Sequence, residues 1–199
     1  MRTGEDRRVI KTKRNLKNTM REMMGEMPFE KITVKEICER AMTSRITFYN
    51  YYNDKYALLE EMIHDMKGEL EAQFQKLQEA NTEDDPIVSF ENMLDCLIHL
   101  HEEYKDIFVN NVNIGKNSAL IPPYYRFMVN NIEKLIRKYF QQMKPNYPPE
   151  QISVFIFLGL FGYIYLGGGT PGESDEETYK SAHRLLSDLL KSDIFTNRK

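Results

Sequence analysis

The sequence predicts an all-α protein, with an N-terminal three-helix, helix-turn-helix head, a larger helical body and about nine helices in all. Three observations carry that prediction. Apolar residues recur at three- and four-residue spacing along most of the chain, and two-residue alternation is scarce. Only 8 Pro and 10 Gly interrupt 199 residues. The segment Thr33 to Met62 (TVKEICERAMTSRITFYNYYNDKYALLEEM) packs two short helical units, a tight break and the start of a longer helix into 30 residues.

The elements follow in order. Leu16, Met20, Met23 and Met24 fall at i, i+4, i+7 and i+8 of an amphipathic helix that starts near Arg8 and ends at Met27-Pro28-Phe29. Thr33 with Glu36 three residues on is a capping box for a helix burying Val34, Ile37, Cys38 and Ala41. After a break at Met42-Thr43, Ser44 caps a second short helix with Phe48 and Tyr52 inward. Asp54 caps a long helix whose inner side carries Leu58, Leu59, Met62, Ile63, Met66, Leu70, Phe74 and Leu77. The polar linker Asn81 to Pro86 (NTEDDP) closes it.

A helix with Phe90, Met93, Leu94, Leu97 and Ile98 comes next, then a short one from Tyr104 to Val112 and a loop at Asn113–Ser118. Ile121, Tyr125, Met128, Ile132, Leu135 and Tyr139 keep helical spacing. Pro148 and Pro149 suit a helix start, and the run from Ile152 ends in three glycines. A last helix carries Tyr179, Ala182, Leu186, Leu189 and Leu190. The domain boundary is placed after Lys55, giving a head at 1–55 and a body at 56–199.

The net charge of −3 hides an asymmetry, because residues 1–55 carry +5 and the remainder −8. A basic head on an acidic body fits a head that meets phosphate. The two cysteines, Cys38 and Cys96, make no disulfide framework and suit a reducing compartment. The N-terminal MRTGEDRRVIKTKRN lacks the apolar core of a signal peptide, so a cytoplasmic protein is expected. Ile152 to Leu166 would form about 22 Å of helix, short of a ~30 Å hydrocarbon core. A membrane span is therefore not expected; a helix apolar all round needs cover from protein instead.

The short helix after Ser44 gathers hydrogen-bonding side chains. Arg45 can fork onto a guanine edge, and Thr47 can meet a phosphate or a thymine methyl. Asn50 can pair with adenine or hold the backbone, and Tyr49 offers a phenol to phosphate. Lys55 adds a charge at the start of the next helix. The order of break, cap, donors and terminal lysine suits a helix that enters the major groove by its first turns.

These residues resemble the DNA-binding signature of the TetR family of transcriptional regulators. KNTMREMMGEMPFEKI is similar to that family's first helix and turn, and Tyr49–Lys55 (YNYYNDK) to its aromatic-x-x-aromatic-x-x-Lys pattern. The likeness covers roughly Thr12 to Met62. It implies that Tyr49 and Lys55 clamp phosphates, that Thr33 contacts the DNA backbone, and that Ser44, Arg45, Thr47 and Asn50, with Thr43 beside them, face the groove. One residue departs from the pattern: Met42 stands where the family usually has glycine, and a positive φ there would strain it by about 1 kcal/mol or more.

The resemblance further implies a homodimer on double-stranded operator DNA, paired through its last two helices. Phe155, Gly159, Gly162 and Leu166 share one face of the apolar helix, and Leu186 and Leu189 join them from the last. It also implies a pocket for a small-molecule effector among the middle helices, with Met66, Met93, Leu97, Phe108, Tyr125, Met128 and Phe157 as candidate walls.

No cofactor or metal site is expected. His99 and His101 do not share a helix face, Glu60 and His64 suit a solvated pair, and GGGTPGES lacks the Lys-Ser/Thr of a phosphate loop. The reading is therefore a repressor, not an enzyme. A ligand- or protein-binding module of the same fold, without specific DNA binding, is the alternative that Met42 supports.

Overall fold

The structure, a computed structural model, describes residues 3–111, 121–165 and 174–193. Among these residues are nine α-helices, one 3-10 turn and no strand: α1 (Thr3–Glu26), the turn Phe29–Lys31, α2 (Val34–Arg40), α3 (Arg45–Tyr49), α4 (Lys55–Gln78), α5 (Pro86–Asn111), α6 (Ile121–Lys138), α7 (Phe140–Met143), α8 (Pro149–Tyr165) and α9 (Asp175–Lys191). The all-α expectation holds. Leu166, the Asn113–Ser118 loop and most of GGGTPGES lie outside the described residues.

The chain forms two compact units, Met1–Gly68 with Tyr104–Pro123, and Glu69–Glu103 with Tyr124–Lys199. The first unit thus extends past Lys55, keeping the opening turns of α4 and the end of α5 with the head. Its core is apolar: Leu16, Met20 and Met24 of α1 bury with Phe29, Ile37, Phe48 and Leu58. Polar ties fix its edges. Asn111 Oδ1 accepts from Phe29 N–H at 2.6 Å, and its amide donates to Met24 and Ile107 carbonyls at 2.9 Å each. That buried side chain satisfies backbone groups which the end of α1 would leave orphaned. Lys13 pairs with Glu61 at 2.7 Å, Lys17 with Asp65, and Arg40 with Glu26.

The second unit packs Phe90, Met93, Leu94 and Leu97 of α5 with Met128, Ile132 and Ile136 of α6, Ile156, Phe157 and Phe161 of α8, and Ala182, Leu186 and Leu190 of α9, all buried. Tyr139, 1% exposed, donates to Asp84 at 2.6 Å and lies 2.7 Å from Ser89 Oγ. This polar lock closes the α4–α5 linker onto the end of α6. Pro149 opens α8, as its missing N–H allows at a first helical position. The two helices expected on either side of Tyr104 run as one, α5, with Tyr104 non-helical (φ −116°, ψ 18°) inside it. Both cysteines are free and buried.

Candidate nucleic-acid interface

The reading motif is built from its caps. Thr33 Oγ accepts from Glu36 N–H at 3.3 Å and donates to Glu36 Oε2 at 2.6 Å, while that carboxylate accepts from Thr33 N–H at 2.9 Å. The reciprocal pair is the expected capping box, and the hydrogen bonds from Thr33 hold the Glu36 carboxyl below its ordinary range.

At the other end of α2, Met42 N–H reaches Glu39 O at 3.2 Å and Thr43 N–H reaches Cys38 O at 2.9 Å. These are the two bonds of a Schellman motif, and they put the residue after the C-cap in the left-handed region. That residue is Met42, with φ 48°. The turn therefore keeps the shape glycine would give it. Methionine accepts the backbone strain, and its side chain, 94% exposed, meets no clash.

Ser44 caps α3, accepting from Thr47 N–H at 3.0 Å, and the two hydroxyls lie 2.8 Å apart. Thr43 hydroxyl donates to Ala41 O at 3.1 Å. Much of the hydroxyl capacity expected to face the groove is thus spent on the turn. The helix is one turn and a half, Arg45–Tyr49. Phe48 is fully buried, edge-on to Tyr49 at 5.5 Å and tilted against Tyr52 at 5.6 Å. With Phe48 anchored, Arg45, Tyr49 and Asn50 stand exposed together. Ile46 stands with them, 78% exposed, and sequence reasoning passed over it. An aliphatic side chain between two donors can meet a thymine methyl.

Lys55 has a different job from the one expected. Its ammonium donates to the carbonyls of Phe29 (2.9 Å), Glu30 (3.0 Å) and Ile32 (2.7 Å), 4.5 Å over the Phe29 ring. All three N–H groups are used on the 3-10 turn before Thr33, which leaves none for a phosphate in this arrangement. Burial lowers its pKa from the usual lysine value. The residue fastens the entry to α2 onto the start of α4.

In the second unit, α8 leaves an apolar stripe open. Phe155 is 62% and Leu158 52% exposed, and a Cβ built on Gly159 would meet nothing within 4 Å. Gly162 and Leu189 are half-buried. Leu186 departs from its expected place on the open face, being 2% exposed in its own core, while its neighbour Leu185 is 52% exposed. A groove of about 300 Å³ lies beside the stripe, lined by Tyr147, Gln151, Ile152 and Phe155.

Of the expected pocket walls, Met93, Leu97, Met128 and Phe157 do converge, but around a void of only about 10 Å³. That is room for one water at most. Tyr125 stands edge-on to Phe157 at 5.5 Å. Met66 and Phe108 are buried in the other compact unit. Among the described residues there is no helix long and apolar enough to cross a membrane, and no cluster of three metal-ligating side chains.

A capped helix pair, a left-handed turn and an exposed short second helix on an all-helical chain make up a helix-turn-helix. Residues 19–62 match the family model for bacterial regulatory proteins of the tetR family. The uncharacterized HTH-type transcriptional regulator YxbF of Bacillus subtilis (strain 168) is 26% identical over 185 residues, covering 81% of this chain and 49% of YxbF. The chain thus spans about half the length of that relative. Two solved structures share the fold: a protein assigned to the TetR family from Syntrophomonas wolfei (TM-score 0.74, 14% identity, 92% of this chain and 96% of that one) and a TerR/AcrR-family regulator from Aquifex aeolicus VF5 (TM-score 0.63, 20% identity, 89% and 99%). Residues 19–62 are thus similar to the tetR-family DNA-binding region, and the chain shares its fold with these solved structures.

Proposed function

We propose that the protein is a cytoplasmic repressor that binds a near-palindromic operator as a homodimer and is released by a small apolar or amphipathic effector. The observation that carries the reading is the α3 surface. Arg45, Ile46, Tyr49 and Asn50 are exposed side by side while Phe48 pins the helix to the core. Arg45, Tyr49 and Asn50, with Thr33, Thr43, Ser44 and Thr47 at its edge, form the DNA contact set of this proposal. The regular turn at Met42 removes the main support for a module that has lost DNA binding.

The dimer reading is supported by the open stripe of Phe155, Leu158 and Gly159 with Leu185. Among the described residues no group lies within 4 Å of a Cβ built on Gly159, so packing among them gives no reason for a glycine there. A second copy laid along α8 does. The effector site would open from the void between Met93, Leu97, Met128 and Phe157, where flexible methionines can repack. Effector and operator need be coupled by only about 1–3 kcal/mol, and each then weakens the other's binding by the same factor.

Selection from a random duplex pool tests the reading. The expected product is an inverted repeat with half-site centres about one DNA turn, ~34–36 Å, apart, bound by two chains. An enriched site without two-fold symmetry, or no enrichment, would reject it.

A further inference from the structure

We infer that the N-terminal half of α1 is a second DNA-contacting surface, gripping duplex phosphates beside the groove that α3 enters; this rests on the DNA-binding reading above. Residues 7–14, RRVIKTKR, hold five cations and no acid. The cations of α1 sort by what they meet. Lys13 and Lys17 turn inward to Glu61 and Asp65. Arg7, Arg8, Lys11 and Arg14 are exposed and form no ion pair among the described residues. An unneutralised set of four charges on one rigid helix is an attractive surface for a polyanion.

The packing of α1 says where that surface points. Asn15 donates to Ala41 O at 2.8 Å. Ala41 is the C-cap of α2, next to Met42 and three residues before the α3 cap Ser44. Lys11 and Arg8 lie four and seven residues before Asn15, on the same helix face and about 6 and 10 Å nearer the N-terminus. Helix α1 therefore runs past the α2–α3 turn and carries its cations beside the start of α3. The start of a reading helix is the part that reaches base edges, so a helix alongside it lies alongside the duplex. A DNA strand offers a phosphate every ~3.4 Å of its axis, so a row of cations along a helix has several phosphates within reach. The occupant is thus the sugar-phosphate backbone, and these cations would add affinity without reading sequence.

The test measures binding of the full chain and of the variants Arg8→Ala/Lys11→Ala and Arg7→Ala/Arg14→Ala. The probes are the selected inverted repeat and a random-sequence duplex of the same length, at several salt concentrations. Each cation withdrawn from a phosphate should make the slope of log K against log salt shallower by about 0.9, so about 1.8 for a double variant that withdraws two. The change should be the same on both duplexes, with the ratio of specific to random binding and the thermal midpoint unmoved. Unchanged slopes in both variants, with the wild type binding normally, overturn the α1 surface and leave the α3 reading intact. A wild type that binds neither duplex sinks both. Should only binding to vesicles of anionic lipid fall in the variants, the partner is a membrane and the inference is wrong.

Discussion

The head and the body expose opposite chemistry. In the head, cations and hydrogen-bonding groups stand exposed, Arg7, Arg8, Lys11 and Arg14 on α1 and Arg45, Tyr49 and Asn50 on α3, with Ile46 among them. In the body, the most open face of α8 is Phe155, Leu158 and a bare Gly159. Their interiors differ in the matching way. The head is pinned at its edges by polar ties, Lys55 on three carbonyls and Asn111 on three backbone groups. The body closes around aromatic and methionine side chains to a void of about 10 Å³. A unit that must present donors at fixed positions needs its backbone fastened. The dimer and effector roles proposed for the body would call for apolar surface, outside and in.

The contrast breaks most readily at Phe155. Phe155→Glu puts a charge on each side of the two-fold stripe and removes an aromatic ring from each chain. It should weaken dimerisation by on the order of 100-fold or more, read by sedimentation. A dimer of unchanged strength would show that the stripe is not the interface.

Next is Lys55. Lys55→Met leaves three carbonyls without their donor and should cost the head about 2 kcal/mol, read by thermal unfolding. The salt dependence of DNA binding should hold. A slope shallower by about 0.9 would give Lys55 the phosphate contact that the family pattern implies.

Met42→Gly relieves the left-handed residue and should stabilise the head by about 1 kcal/mol, measured by urea midpoint. No gain would mean that the exposed thioether is making contacts not evident in its surroundings.

The smallest effect belongs to His183, whose pKa is raised by its hydrogen bond to Asp95, 2.9 Å away. A raised folded value means the stabilisation is fully present below about 6.5, the unfolded value, and is lost as pH rises through the folded one. His183→Gln should flatten that slope in the melting temperature between mildly acid and alkaline pH. A wild-type profile already flat there would contradict the pairing.

What the sequence made legible was local. The Thr33–Glu36 box, the break, the Ser44 cap and the apolar spacing of α1 and α5 are each set within a few residues, where capping and periodicity act. The partners of Lys55 lie more than twenty residues upstream, and no local rule places them. Ile46 escaped notice because exposure on a five-residue helix depends on which side Phe48 anchors. On α9 the pairs Leu185-Leu186 and Leu189-Leu190 fit two helical phases equally. Only packing shows that Leu186 goes in and Leu185 stays out. Of the expected pocket walls, Met66 and Phe108 fall in the other compact unit, a division that local spacing does not show.

The claim on which the rest depends is that the exposed side of α3 reads DNA. The most direct measurement is the affinity of Arg45→Ala/Asn50→Ala for the selected operator and for random duplex, with circular dichroism to confirm the fold. Truncating two side chains that meet base edges should lower operator affinity by on the order of 100-fold or more while random binding falls far less. A doubly substituted protein that still distinguishes its operator as the wild type does would contradict the assignment.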